Sequence, residues 1–258
     1  MKHLLVCALA GALVLSLAAC GAPPEADLVG STPGALETPE GAVMTCRLVG
    51  EGLLAEGEDG PYGGTGIFTF GTDEDTVVTV DGQPAQVSDL CPGMLLTVTW
   101  NGMVAESYPA QLGMVDALAA DSGDTDDRCG LYLQVLEDLW ADNGALAADI
   151  SCLGLDLSEL RDLTPSEKDA VSYLFSCRHP EEELVTGTWE ELVEAGYIDG
   201  EELYWEDGVF LSLRGSAEDT FTGEIWRSGL GASYLVDCTA QMAGDGSWTY
   251  EVGSHATA

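Results

Sequence analysis

Hydrophobic residues change their spacing several times along this chain, and each spacing predicts a different kind of structure. Leu4 to Leu17 is apolar apart from Ser16, follows Lys2, and runs into the small residues of Leu17-Ala18-Ala19-Cys20. A membrane span needs about 20 apolar residues, and Leu4–Ala19 offers 16. A positive start, a short apolar stretch and small residues before a cysteine instead predict a secretory signal, residues 1–19, that is cut to leave Cys20 first. Residues 20–42 have no apolar period and carry Pro23, Pro24, Pro33 and Pro39. That stretch is expected to be a tether, because it has too little apolar surface to build a core.

From residue 43 to 120 the spacing is that of short strands. Val43–Val49, Ile67–Phe70, Thr76–Val80, Leu95–Trp100 and Met114–Leu118 are β-branched or alternating. Asp81-Gly82 and Asn101-Gly102 stand where tight hairpin turns need positive φ. Several short strands in so few residues predict a small OB-like barrel, which closes on itself to hide its edges. Asp121–Asp127 reads as an acidic linker.

Beyond it, in residues 128–258, the period lengthens. Leu131, Tyr132, Val135, Leu136, Leu139 and Trp140 share a helical stripe. Thr164-Pro165-Ser166-Glu167 and Thr188-Trp189-Glu190-Glu191 have the form of capping boxes, each opening a helix. Gly208–Leu213, Ala232–Met242 and Trp248–Val252 then read as strands. Helices followed by a run of antiparallel strands predict an α+β domain behind the mainly β barrel.

Composition narrows the function classes. The chain has 258 residues, 45 acids against 8 bases, and a formal charge of −37, which becomes −38 once Lys2 leaves with the signal. Such a charge excludes nucleic acid as a partner, since few cations are available to neutralise phosphates. It also disfavours the folded part lying flat on an anionic bilayer. A hydrophobic content of 46% is ample for packed cores. Cys46, Cys91, Cys129, Cys152, Cys177 and Cys238 form no C-x-x-C pair and sit in apolar contexts, so buried thiols are expected for most of them.

Val87-Ser88-Asp89-Leu90-Cys91-Pro92-Gly93, followed by an apolar strand and Val104-Ala105-Glu106-Ser107-Tyr108-Pro109-Ala110-Gln111, resembles the small β-barrel domain of YobA-like bacterial lipoproteins. The resemblance implies a barrel and an envelope location, and no reaction. Gly130–Leu133, Leu153–Leu157 and Trp226–Gly231 are similar to a domain of secreted proteins from gut-type Firmicutes, for which no function is implied.

No catalytic motif is present: the chain lacks a G-x-S-x-G elbow, an H-E-x-x-H pair and a P-loop. His179 and His255 remain after processing, near Cys177 and Cys238 respectively, but a Cys–His pair has only loose support from spacing. Glu56–Asp59, Asp73–Asp75 and Asp121–Asp127 are candidate calcium loops, although none has the EF-hand spacing. Trp226 and Arg227, beside the glycine-rich Gly229-Leu230-Gly231, are the candidate ligand-binding residues, since Arg forms bidentate contacts to anionic groups. The competing structural role for Arg227 is pairing with a nearby acid beneath a tight turn. Trp189, Tyr204, Trp205 and Trp248 are further candidates to line a groove.

The chain is therefore expected to be a cell-surface lipoprotein, anchored through diacylglyceryl and acyl chains (such as palmitate) on Cys20, that acts as a binding or accessory module for an envelope protein or small ligand. Alternatives are an envelope hydrolase that uses carboxylates of the second domain, and a calcium-responsive structural module. One acyl chain holds a protein only weakly, and two anchor it. Replacing Cys20 by Ala should move the protein from the membrane fraction to the medium or leave it unprocessed, as read by fractionation and intact mass. Unchanged processing and retention would remove the anchor.

Overall fold

The computed structural model describes residues 41–50 and 52–258, and the signal and tether expectations, with Cys20, lie outside them. Among the described residues no helix is long and apolar enough to cross a membrane. Over those residues the fold is mainly β, with three α-helices.

Five strands close the barrel: β1 (Ala42–Val49), β2 (Leu53–Glu56), β3 (Ile67–Gly71), β6 (Leu95–Trp100) and β8 (Ala110–Asp121). β1 pairs with β2 and β6, β2 with β3, and β6 with β8, all antiparallel; a parallel β3–β8 pairing closes the ring. Alternation fills the interior. Met44, Cys46 and Leu48 of β1 meet Leu54, Phe68, Leu96, Val98, Trp100 and Leu118 inside, while Val43 and Thr45 face out. The short strands β4 (Val77–Val80) and β5 (Gln83–Pro84) form a hairpin on the edge of β8, joined by Asp81-Gly82 with φ of 53° and 70° as a two-residue turn requires.

Asn101-Gly102 does not join a hairpin. The next short strand, β7 (Val104–Ala105), pairs with β8 instead, because β6 already has β8 as its neighbour. Asn101 turns the chain by accepting the Met103 N–H on its side-chain oxygen at 3.1 Å.

β2 is buried on both faces, which explains why Leu53-Leu54-Ala55-Glu56 shows no alternation. Leu54 points into the barrel. Leu53 and Ala55, with Val49 and Ile67, point outward into a second core made by helices α1 (Arg128–Asp142) and α2 (Pro165–Arg178). Five of the six residues on the predicted α1 stripe are buried there, and Trp140 packs at its edge. The Thr164 capping box forms as expected, with Glu167 reaching back to the Thr164 N–H at 2.8 Å. Its first turn is also a joint. The Ser166 hydroxyl donates to the Glu56 carbonyl, and Arg47 of β1 pairs with Glu167 at 3.0 Å while donating to the Gly93 carbonyl at 2.7 Å. Barrel, helices and the following sheet belong to one compact unit.

That sheet contains β9 (Cys152–Asp156), β10 (Glu183–Thr186), β11 (Gly208–Gly215), β12 (Phe221–Ser228), β13 (Gly231–Met242), β14 (Trp248–Glu251) and β15 (Ser254–Thr257). Its order is β10-β9-β11-β12-β13-β14, with β15 also on β13. It is not purely antiparallel: β10 and β11 both run parallel to β9. The chain passes from β9 through α2 to β10, then through α3 (Trp189–Glu194) back across β9 to β11. Right-handed crossovers in opposite directions place their helices on opposite faces. Accordingly Leu153 and Leu155 pack with α1 and α2, whereas Cys152 packs with Leu192 of α3.

The α3 side is built on missing side chains. Trp205 is buried under α3, against Gly154 of β9 and Gly208 of β11. A β-carbon at position 208 would lie 2.0 Å from Trp205 Cε2, and one at 154 would lie 2.7 Å from its Cζ3. The indole is rigid and enclosed, so it cannot yield. Gly208→Ala is expected to cost about 2–3 kcal/mol or more through overpacking, measured by urea denaturation; a change within about 0.5 kcal/mol, as at an ordinary surface site, would contradict this packing.

Candidate functional site

Strand register sets two rows of side chains across the face of the sheet that carries α3. Gly154, Phe210, Trp226 and Ala232 are register partners on β9, β11, β12 and β13, and form an apolar row. Two residues along, Asp156, Ser212, Glu224 and Tyr234 form a polar row on the same four strands. Period-two alternation puts both rows on one face. Arg214 follows Ser212 on that face of β11, and Thr188, Trp189 and Glu190 approach from the start of α3.

Apart from Gly154 and Ala232, these residues line a cleft of about 410 Å³, with Ser158, Glu159 and Leu203 completing its wall. Trp189 stands on edge over the apolar row, at 83° to the Trp226 ring with centroids 4.3 Å apart, and at 80° to Phe210 at 5.8 Å. Glu224 is only 17% exposed, yet its contacts are long: Arg214 at 3.7 Å and the Ser212 hydroxyl at 3.5 Å. Burial, and then the Glu224 carboxylate, push the Tyr234 phenol above its usual range, so Tyr234 stays a neutral hydroxyl.

A smaller crevice of about 190 Å³ continues from the cleft and shares Asp156, Ser158 and Thr188 with it. It lies where β9 and β10 end and their connections leave for opposite faces. The strand order reverses beside it, between β9 and β11, and open α/β sheets usually place ligands outside the strand ends at such a reversal. Lys168 of α2 lines the crevice, donates to the Ser158 carbonyl at 2.8 Å, and has its ammonium pKa lowered by burial.

No family model, curated protein or solved structure matches this chain. The cleft is therefore interpreted from its own geometry.

The structure separates the two adjacent candidates from sequence. Trp226 lines the cleft, but Arg227, one residue on, serves the opposite side of β12. Its guanidinium donates to the backbone carbonyls of Leu146, Ala148 and Glu206 at 3.0, 2.7 and 2.7 Å, rather than to a carboxylate. It ties the loop after α1 and the start of β11 to β12. The bend follows later, at Gly229-Leu230, because residues 226–228 are still strand. Of the other aromatics, Trp189 lines the cleft, Trp205 is core, Tyr204 is exposed outside the cleft, and Trp248 packs against Arg128.

Glu224, Tyr234 and Asp156 were not singled out by sequence. The signal for Glu224 and Tyr234 is alternation in β12 and β13, but a pattern within one strand does not show which residues align across strands.

Half of the acids of the candidate calcium loops, Glu56, Asp73, Asp121, Asp126 and Asp127, are engaged internally. Glu56, buried, accepts the N–H groups of Tyr62, Gly64 and Gly66 at 2.6, 3.0 and 3.1 Å. Asp73 accepts from Asp75 and Thr76, and Asp127 caps α1 through the Gly130 N–H. Among the described residues no group of three or more His, Cys, Asp or Glu converges as a metal site would. Among the described residues the six cysteines are free thiols, with Cys46, Cys129, Cys152 and Cys238 buried, and Cys91 and Cys177 exposed. His255 pairs across strands with Leu235, not with Cys238. His179 is wedged between Trp140 and Phe175, away from solvent, while Cys177 is exposed.

A second concentration of charge surrounds Arg128, and it is a joint rather than a cleft. Arg128 binds Asp126 through Nε at 2.9 Å and through Nη2, lies near Asp162 and Glu218, and sits 5.6 Å from the Trp248 ring centroid. Trp248 donates to Asp126 at 2.7 Å. Burial alone would raise the Asp126 carboxyl, but the hydrogen bonds from Arg128 and Trp248 outweigh it and hold the group below its ordinary 3.8. A depressed carboxyl adds stability above its unfolded pKa and loses that contribution as pH falls through its folded value. Asp126→Asn should therefore be less stable than the parent at pH 7, with the gap narrowing below about pH 4, read by urea denaturation at stepped pH. A gap that is constant down to pH 3 would exclude this linkage.

Proposed function

We propose that this chain is a binding module of the bacterial envelope, held at the outer leaflet by lipid on Cys20, with its ligand seated in the cleft between α3 and the polar row of the sheet. The anchor is supported by the apolar run ending in Leu17-Ala18-Ala19-Cys20. The cleft is supported by one observation above the others: aromatic side chains and charged groups converge in a concave site on the sheet face, which runs on into the crevice at the ends of the parallel strands.

An OB-like barrel is supported by the ring order β1-β2-β3-β8-β6, with β3 and β8 parallel. OB barrels commonly bind ligands across their second and third strands. Here Leu53, Ala55 and Ile67 on the outer side of β2 and β3 are buried beneath the helices. That face is occupied, which favours the sheet cleft as the binding surface and leaves the barrel as a support that lifts it from the membrane.

The test is affinity chromatography and tryptophan fluorescence with solubilised cell-wall glycans and peptides, using the full-length protein. Trp189→Ala should weaken capture about tenfold, the loss expected for one aromatic anchor of about 1–2 kcal/mol, with an unchanged circular dichroism spectrum. Equal capture by Trp189→Ala would remove the cleft from the binding function. Cleavage of the offered material, lost in Glu224→Gln, would replace binding by hydrolysis.

A further inference from the structure

We infer that the cleft selects an organic ammonium group, a specificity that rests on the binding function proposed above. The shape of its aromatic lining comes first. A sugar ring is a chair that lays its broad C–H face on one open aromatic face, but Trp189 stands at 83° to Trp226 and 80° to Phe210. Rings set at right angles form a corner instead of a platform. Trp226 and Phe210 are only 6% and 4% exposed beside the Trp189 edge, so the half-buried Trp189 supplies the open ring face of this corner, and that face attracts a compact, rounded ammonium head.

Charge points the same way. Asp156, Glu159, Glu190 and Glu224 line the cleft against Arg214 as its cation. Among the described residues Asp156, Glu159 and Glu190 make no ion pair, and Glu224 has Arg214 at 3.7 Å as its cation, the Ser212 hydroxyl at 3.5 Å and the neutral Tyr234 phenol beside it. A largely buried carboxylate with such weak partners is costly unless a counter-charge arrives. Anionic ligands would meet this excess of carboxylates and a chain of formal charge −37, whereas cations would be drawn in by both.

A bare divalent ion is the poorer occupant. It needs several oxygens converging on one point, and no such group is found among the described residues. An organic cation needs no convergence, because the aromatic walls supply part of the contact and the carboxylates act at a distance.

The experiment follows tryptophan emission of the full-length protein in detergent during titration with choline chloride, its neutral isostere 3,3-dimethyl-1-butanol, and chitotriose, at constant ionic strength. Choline is expected to saturate with millimolar affinity and the isostere to bind about tenfold more weakly, the size of one cation–π contact with a carboxylate nearby. Glu224→Gln should weaken choline, and Arg214→Ala should tighten it, each with an unchanged melting curve. A merely structural role for these residues does not produce opposite signs. Equal affinity for choline and its isostere would overturn the inference, as would choline silence up to about 100 mM, far above the expected Kd. Saturable chitotriose binding lost in Trp189→Ala, with choline silent, would sink the ammonium specificity and leave the cleft as a binding site. Silence of all three probes, together with Trp189→Ala capturing wall material as the parent does, would sink both.

Discussion

Burial of α2 against both the barrel and the seven-stranded sheet is the constraint on which the rest of the molecule depends. Val171 and Phe175 lie in the core that also contains Leu53 and Ala55 of the barrel and Leu153 and Leu211 of the sheet. Ser166 and Glu167, in the first turn of the same helix, reach Glu56 and Arg47. Polar groups buried at such a joint are expensive unless satisfied, and these are satisfied across the boundary. The helix thereby serves two packing layers at once, and neither layer can move without exposing its apolar surface.

The cleft follows from that placement. With α2 committed to one face of the sheet, the returning crossover puts α3 on the other, and the ends of β9 and β10 are left with a crevice between their diverging connections. α3 is short and covers only the apolar row, including Trp205 on its glycine floor. The polar row of Asp156, Ser212, Glu224 and Tyr234 remains open beside it. Aromatic walls next to poorly neutralised carboxylates are thus a product of topology together with one short helix, not of a local motif.

How much of this could be read from the chain differed by element. The α1 stripe and both capping boxes were legible, since helix faces and caps are encoded within a few residues. Asp81-Gly82 was legible for the same reason. β2 and β9 were not: each is buried on both sides and lacks the alternation that marks a half-buried strand. β12 is masked in the sequence by Gly229-Leu230-Gly231, whose turn signal lies just beyond it and makes Trp226 and Arg227 resemble one corner. As strand neighbours they face opposite ways, one into the cleft and the other onto three carbonyls.

By itself the sequence determined the change from two-residue to helical spacing, the positions of the helix starts, the abundance of acid and the apolar segment before Cys20. Each is a property of nearby residues or of composition, and needs no partner to be defined. Only the tertiary structure decided that β10 and β11 flank β9 in parallel, that the outer side of β2 and β3 is covered, and that Asp156, Glu224 and Tyr234 share a row beside the one Trp189 covers. Those residues are tens of positions apart, and what joins them is strand register and the burial of surfaces that no short window of sequence contains.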